Sequence, residues 1–223
     1  MLPLSGLLFL SCGIALSYFA YHRFTFYKQE PKNIINKYYF VAAMCISIAY
    51  FVYSLPALLF PRTIGFFVLC TQIATLVNTI GFSAFLLIPS YIWMTIYYHA
   101  VARYIVCLYT LIVGILLILF PPQPTIDAYG IIHWGFQKPI TAVMFGIMAL
   151  AFVLNIVLLS SYFKTLRSFS LFNVIALIVT FLLAGFGGGY QYIGNNHTLL
   201  LYANFALVMG MFIVFIAAVK HKL

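Results

Sequence analysis

The residues best suited to acid–base chemistry are few in this chain and lie far apart. Its two carboxylate side chains, Glu30 and Asp127, both fall between apolar runs. The five histidines are scattered, and none forms a short His-x-x-x-His pair. Buried haem and zinc-hydrolase sites need such clustered ligands, and a Ser or Cys nucleophile needs a base with an orienting acid. The sequence therefore predicts no catalytic residues, no metal site and no cofactor, and it favours a protein that is not an enzyme.

Uncharged polar residues are concentrated on one face of the apolar run at 63–98. Thr71, Thr75 and Asn78 recur at i, i+4 and i+7, which places them on one side of a helix. Two interpretations of this face stay open. Its side chains form hydrogen bonds between packed helices, for which such residues are commonly used, or they line a pocket with apolar walls and a few polar groups, together with polar residues at similar depth in other runs. The predicted ligand-binding residues are Gln72, Thr75, Asn78, Tyr53, Tyr202 and Asn204.

The composition of the chain indicates an integral membrane protein. Charged residues make up 6% of it and hydrophobic residues 65%, against about 25% and roughly half in soluble domains. The four cysteines lie inside apolar runs without paired spacing, as is typical of small packing residues. We predict a single all-α domain over 1–223 that is surrounded by lipid. Its seven predicted spans are 3–21, 38–60, 63–98, 104–120, 139–163, 169–188 and 199–219.

The distribution of lysine and arginine predicts the orientation of this seven-helix bundle. Nine of the eleven basic residues fall in the connections on one side, and only Arg62 and Lys138 fall on the other. Because basic connections favour the cytoplasmic side, we place the N-terminus outside and the C-terminus in the cytoplasm. The net charge of +9 then reflects membrane topology and contacts with lipid headgroups, so no nucleic-acid partner is expected.

The run at 63–98 is longer than one bilayer span requires. As a helix it would extend roughly 54 Å, compared with a hydrocarbon core of about 30 Å. Dividing it into two spans would leave five basic residues inside and six outside, so the charge pattern favours one long third helix. Pro89 predicts a kink in this helix, and Pro56 predicts one in the second.

Two further segments carry local predictions. The glycines at 185–189 predict a flexible exit from the sixth span. The connection at 120–138 contains Tyr129, His133 and Trp134, which are typical of the water interface.

Two stretches of the chain carry a resemblance to a known family. The second and third spans read AAMCISIAYFVYSLPALLFPRTIGFFVLCTQIATLVNTIGFSAFLLIPSYIW, and later segments read HWGFQKPITAVMFGIMALAFVLNIVLLSSYFKTLRS and YANFALVMGMFIVFIAA. The order of these spans and their local residue pattern resemble the seven-helix membrane input region at the N-terminus of many bacterial sensor histidine kinases. The resemblance implies a sensor-like bundle in a bacterial inner membrane. Because the chain stops after the seventh span, we expect it to lack an output domain and to act through a membrane or cytoplasmic signalling partner.

Three functions remain open from the sequence. The first is a receptor-like or accessory protein that binds a small apolar or amphipathic ligand, or a partner's membrane helices, against the third helix. The second is a small seven-span transporter, in which two three-helix repeats flank a linker helix. The third is a structural subunit of a larger membrane complex. A cavity beside Gln72, Thr75 and Asn78 would favour the first, whereas a fully packed interior would favour the third.

Overall fold

The computed structural model describes residues 3–60, 63–162, 171–194 and 196–221. Within these ranges the chain forms seven helices that are long and apolar enough to cross a membrane. The prediction of an all-α bundle of seven transmembrane helices is therefore confirmed. The helices are α1 (Leu4–Gln29), α2 (Ile34–Leu59), α3 (Ile64–Trp93), α4 (Ile96–Leu119), α5 (Lys138–Tyr162), α6 (Leu171–Ile193) and α7 (His197–His221).

Six of the helices form a closed ring, and α4 lies outside it. The order around the ring is α1, α2, α3, α5, α6 and α7, and α7 packs back against α1. Helix α4 packs on α3 and less extensively on α5, and its buried residues are His99, Val113 and Leu117. Lipid tails solvate apolar side chains as well as a protein core does. The exposed apolar surface of α4 is therefore suited to direct contact with the bilayer.

The third span is one helix, but it ends earlier than predicted. Helix α3 has 30 residues, and the last residues of the run at 63–98 belong to the start of α4. Met94 and Thr95 adopt extended backbone conformations and join the two helices. Neither glycine nor proline marks this turn, which is why the apolar run conceals it.

His99 in the first turn of α4 fastens this turn to the ring. Its Nε2 hydrogen-bonds the hydroxyl of Tyr38 on α2 at 2.9 Å, and its Nδ1 hydrogen-bonds the hydroxyl of Ser90 on α3 at 3.0 Å. Helix α3 continues past Pro89, and α2 continues past Pro56. The kinks at these two prolines stay predictions.

The glycine-rich end of the sixth span is helical, so the predicted flexible exit is wrong. Helix α6 continues through 185–189 and ends at Ile193. A Cβ atom added to Gly187 would lie 2.5 Å from the carbonyl oxygen of Ala203 and 2.8 Å from the backbone nitrogen of Leu207, both on α7. The missing side chain therefore allows two helix backbones to approach closely.

A short hairpin covers one end of the ring. It lies between α4 and α5, and its strands β1 (Thr125–Ile126) and β2 (Ile132–His133) pair antiparallel. Trp134, which follows β2, is 4% exposed, so its side chain packs inside the protein. We call residues 120–137 the lid and the end of the bundle that they cover the lid side.

The charge distribution predicts that the lid side faces outwards, and thiol labelling can test this. In a variant without native cysteines, Tyr129→Cys is expected to react with a membrane-impermeant maleimide added to intact cells, because Tyr129 is 70% exposed in the hairpin turn. The matched control is Lys28→Cys, which is exposed at the opposite end of α1. It should react only after the cells are opened. The reverse pattern would show that the chain is inserted the other way round.

Candidate functional site

A cavity lies inside the six-helix ring beneath the lid. Its volume, taken as the space open to the centre of a water molecule, is about 60 Å³. The six ring helices and the lid all contribute to its wall, whereas α4, which is described along its whole length, contributes no residue. Aromatic side chains form much of the wall: Phe9, Phe19, Tyr39, Tyr50, Tyr53, Phe82, Phe85, Trp134, Phe136, Phe152, Phe181 and Tyr192.

Two pairs of buried polar side chains form hydrogen bonds between α3 and its neighbours beside the cavity. The hydroxyl of Thr75 donates to the backbone of its own helix, so it accepts a hydrogen bond from the hydroxyl of Tyr53 on α2 at 2.7 Å. One turn further along α3, Asn78 Nδ2 donates to the hydroxyl of Tyr192 on α6 at 3.1 Å. The polar face predicted on the third helix therefore joins α3 to α2 and α6, and Tyr53, Asn78 and Tyr192 also line the cavity.

Asn78 retains an unused hydrogen-bonding atom. Its Oδ1 is buried, and no described residue donates a hydrogen bond to it. Leaving such a group without a partner costs about 1–3 kcal/mol. Asn78 lies on the cavity wall, but this oxygen is covered by neighbouring atoms, so the wall must shift before a molecule inside the cavity can supply the missing donor.

The other predicted residues lie in different settings. Gln72 Nε2 donates to the backbone oxygen of Leu117 on α4 at 2.8 Å. This side chain therefore forms a hydrogen bond between packed helices. Tyr202 on α7 is 60% exposed and is not part of the cavity wall. Asn204, two residues further on, is fully buried beneath the lid. The structure therefore does not bring Gln72, Tyr202 and Asn204 together with Asn78.

A circuit of buried hydrogen bonds holds the lid on the ring. Trp134 Nε1 donates to Gln191 Oε1 on α6 at 3.1 Å, and Gln191 Nε2 donates to Asn204 Oδ1 on α7 at 2.9 Å. Asn204 Nδ2 donates to Ser5 Oγ on α1 at 3.3 Å, and the same oxygen accepts the backbone N–H of Ile132 at 3.1 Å. The circuit thus runs from the lid through three helices and returns to the lid.

Trp134 is also the main aromatic contact between the lid and the ring. Its ring centroid lies 4.5 Å from that of Tyr53, 5.5 Å from that of Phe9 and 6.3 Å from that of Phe67. These distances are typical of favourable aromatic pairs. The indole therefore closes the lid side of the cavity with both packing and a hydrogen bond.

A second polar cluster lies on the solvent-facing part of the lid. Asp127 Oδ1 accepts the backbone N–H groups of Tyr129 at 2.8 Å and Ile131 at 3.0 Å. Its Oδ2 lies 3.2 Å from His133 Nε2 and 2.6 Å from His197 Nδ1 at the start of α7. Histidine spacing alone gives no sign of this cluster. The signal available in the sequence is that all three residues fall in connections on the same predicted side.

The surroundings of Asp127 keep its carboxyl group ionised. Partial burial alone would raise its pKa, but hydrogen bonds from the backbone of Ile131 and Tyr129 and from the rings of His197 and His133 outweigh burial and lower the pKa to about 2. At neutral pH the group is therefore a carboxylate that only accepts hydrogen bonds or binds cations. Together with the two imidazoles it forms a set of three potential metal ligands.

The seven long apolar helices define a multi-pass integral membrane protein whose helices contact the lipid bilayer. Comparison of the chain with protein-family models, with curated proteins and with solved structures gives no match.

Proposed function

We propose that this protein is a receptor-like or accessory membrane protein that binds a small amphipathic molecule in the cavity and catalyses no reaction. The observation that carries the proposal is the buried, unpaired Oδ1 of Asn78, a residue of the largely apolar cavity wall. Small-ligand pockets are commonly apolar, with a few polar groups that fix the orientation of the ligand. The expected ligand therefore has an apolar body and one group that donates a hydrogen bond to Asn78.

The size of the cavity limits this ligand. A single water molecule needs about 10–15 Å³ measured in this way, so the cavity of about 60 Å³ has room for roughly four to six water-sized groups. A larger ligand requires the wall to move. Met148 and Met211 line the cavity, and methionine side chains adapt their shape more readily than branched or aromatic ones.

The resemblance to the input region of bacterial sensor histidine kinases supports the same proposal. In this view the protein lies in a bacterial inner membrane with the lid side outwards. Occupation of the cavity changes the packing of the ring helices. That change reaches a membrane or cytoplasmic signalling partner at the end of the bundle opposite the lid.

A small transporter is the second candidate, and the position of α4 favours it. Helices α1–α3 and α5–α7 form two halves of the ring, and α4 lies outside between α3 and α5. This order fits two three-helix units with a linker helix, and such transporters bind substrate between the units. Alternating access predicts that a cysteine at Asn78 reacts with polar thiol reagents from both sides of the membrane. The receptor proposal requires access from no more than one side.

Two isomeric probes test the role of Asn78 in ligand binding. We expect 1-butanol to bind the purified protein more tightly than 1-methoxypropane, because only the alcohol can donate a hydrogen bond to Asn78. Asn78→Leu should weaken butanol binding about tenfold, the equivalent of a hydrogen bond of about 1.4 kcal/mol. The ether should bind the two proteins equally. Calorimetric titration in detergent, corrected with protein-free micelles, measures both affinities.

Asn155→Leu is the matched control for this experiment. Asn155 on α5 is also fully buried and also has an unpaired Oδ1, but it does not line the cavity. Its substitution should leave the butanol affinity unchanged. Equal affinity in the wild type and in Asn78→Leu would contradict the proposed site.

A further inference from the structure

The Asp127 cluster joins the lid to a ring helix through side chains that are well suited to a metal ion. One nitrogen of His133, one nitrogen of His197 and one oxygen of Asp127 all lie within 4.8 Å of one another. Their side chains are 27%, 36% and 21% exposed, respectively, so an ion can reach them from water. His133 and Asp127 belong to the lid, whereas His197 is the first residue of α7.

The carboxylate is already oriented for this role. Its Oδ1 is held by two backbone N–H groups, so its Oδ2 is directed at both imidazoles. Such outer hydrogen bonds fix the direction of a metal ligand in known sites. Two imidazole nitrogens with one carboxylate oxygen suit zinc and neighbouring transition metals, whereas Mg²⁺ and Ca²⁺ prefer sets made of oxygen alone.

We propose that Asp127, His133 and His197 bind one divalent transition-metal ion, with Zn²⁺ as the reference ion, and that the ion clamps the lid to α7. Bonds of about 2.0–2.2 Å in a tetrahedral site separate ligand atoms by roughly 3.3 Å. The distance from Asp127 to His133 is already 3.2 Å, and that from Asp127 to His197 must lengthen from 2.6 Å. Water occupies the fourth position on the exposed side. The proposal does not rest on ligand binding in the cavity.

A metal clamp would strengthen the closure of the cavity. Trp134 follows His133 directly in the chain and closes the lid side of the cavity by its contacts with Tyr53 and Phe9. An ion bound to His133 and His197 therefore restrains the segment that positions this indole. The ion should stabilise the folded protein and slow proteolytic cleavage within the lid.

Zinc titration of the full chain tests the proposal. Protein purified in detergent and freed of metal with EDTA is titrated with ZnCl₂ in a calorimeter. We expect one saturable site per chain, a rise in the thermal unfolding midpoint and at least fivefold slower cleavage of the lid. Mg²⁺ should produce none of these effects. Co²⁺ bound to the wild-type protein should show visible d–d absorption, and this absorption should disappear when Zn²⁺ displaces Co²⁺. This measurement requires no variant.

Glutamine variants separate metal binding from hydrogen bonding. His133→Gln and His197→Gln can still donate a hydrogen bond to Asp127 but cannot replace an imidazole ligand. Each should lower zinc affinity at least tenfold. The matched control is His22→Gln, in the half of α1 that is farther from the lid. This variant should bind zinc as the wild type does. Absence of a saturable zinc site in the wild type, or unchanged affinity in both glutamine variants, would overturn the proposal.

Discussion

Replacing Trp134 with alanine is expected to destabilise the folded protein by about 3–5 kcal/mol, as removal of a buried tryptophan usually does. The substitution removes the aromatic contacts with Tyr53 and Phe9 and takes away the donor to Gln191 Oε1. In a chain of this length, the expected fall in the thermal unfolding midpoint is roughly 10 °C. Thermal unfolding in detergent, followed by circular dichroism, measures this shift.

Trp134→Phe separates the two contributions of the indole. Phenylalanine keeps most of the aromatic packing but leaves Gln191 Oε1 without its donor, at a cost of about 1–3 kcal/mol. Its stability should therefore lie between those of the wild type and Trp134→Ala. The matched control is Tyr129→Ala in the same lid, because Tyr129 is mostly exposed and should tolerate the change. If the three lid variants unfolded at one temperature, Trp134 would not be the residue that holds the lid.

The number of spans could be predicted because a bilayer imposes a simple requirement on length and polarity. The ends of the helices could not be predicted, because helices continue past the hydrocarbon core into the interface. Helix α1 runs on to Gln29, well beyond the apolar run that ends at Tyr21. Helix α2 begins at Ile34, before the run that starts at Tyr38. Polar and aromatic residues at these ends are compatible with a helix, but they carry no apolar signal.

The burial of the polar face of α3 could be predicted from that helix alone, but the orientation of α7 could not. Helical periodicity places Thr75 and Asn78 on one face of α3, and the structure shows both facing the ring interior. The rotation of α7 about its own axis is set by its packing against other helices. It cannot be derived from the depth of its residues in the membrane. Tyr202 and Asn204 are two residues apart, or about 200° around a helix, so they could not both face the same pocket. The structure buries Asn204 and exposes Tyr202.

The lid depends on contacts between residues that are far apart in sequence. Ser5 meets Ile132 and Asn204 across 127 and 199 positions, respectively. A connection of this kind has no periodicity of its own, so its burial depends on the ring beneath it. From the sequence alone, the aromatic and histidine residues of the connection are typical only of the water interface. Their partners lie on α1, α6 and α7, which approach one another only in the folded ring.

Gly187→Ala should be among the most damaging conservative substitutions in the ring. The added methyl group would lie 2.5 Å from the carbonyl oxygen of Ala203 and 2.8 Å from the backbone nitrogen of Leu207, so α6 and α7 must move apart. Overpacking of this kind costs about 1–3 kcal/mol, and the upper end is expected because the clash is with backbone atoms. The thermal unfolding midpoint should fall by roughly 6–10 °C.

Gly146→Ala is the matched control, since Gly146 lies within α5 and an added Cβ would meet no atom within 4 Å. Alanine is a better helix former than glycine by about 1 kcal/mol, so this variant should unfold at the wild-type temperature or above it. The two substitutions make the same chemical change inside a membrane helix and differ only in what the methyl group meets. A lower midpoint in Gly187→Ala alone would therefore locate the effect at the α6–α7 interface. Equal midpoints in the two variants would contradict the close approach of these helices.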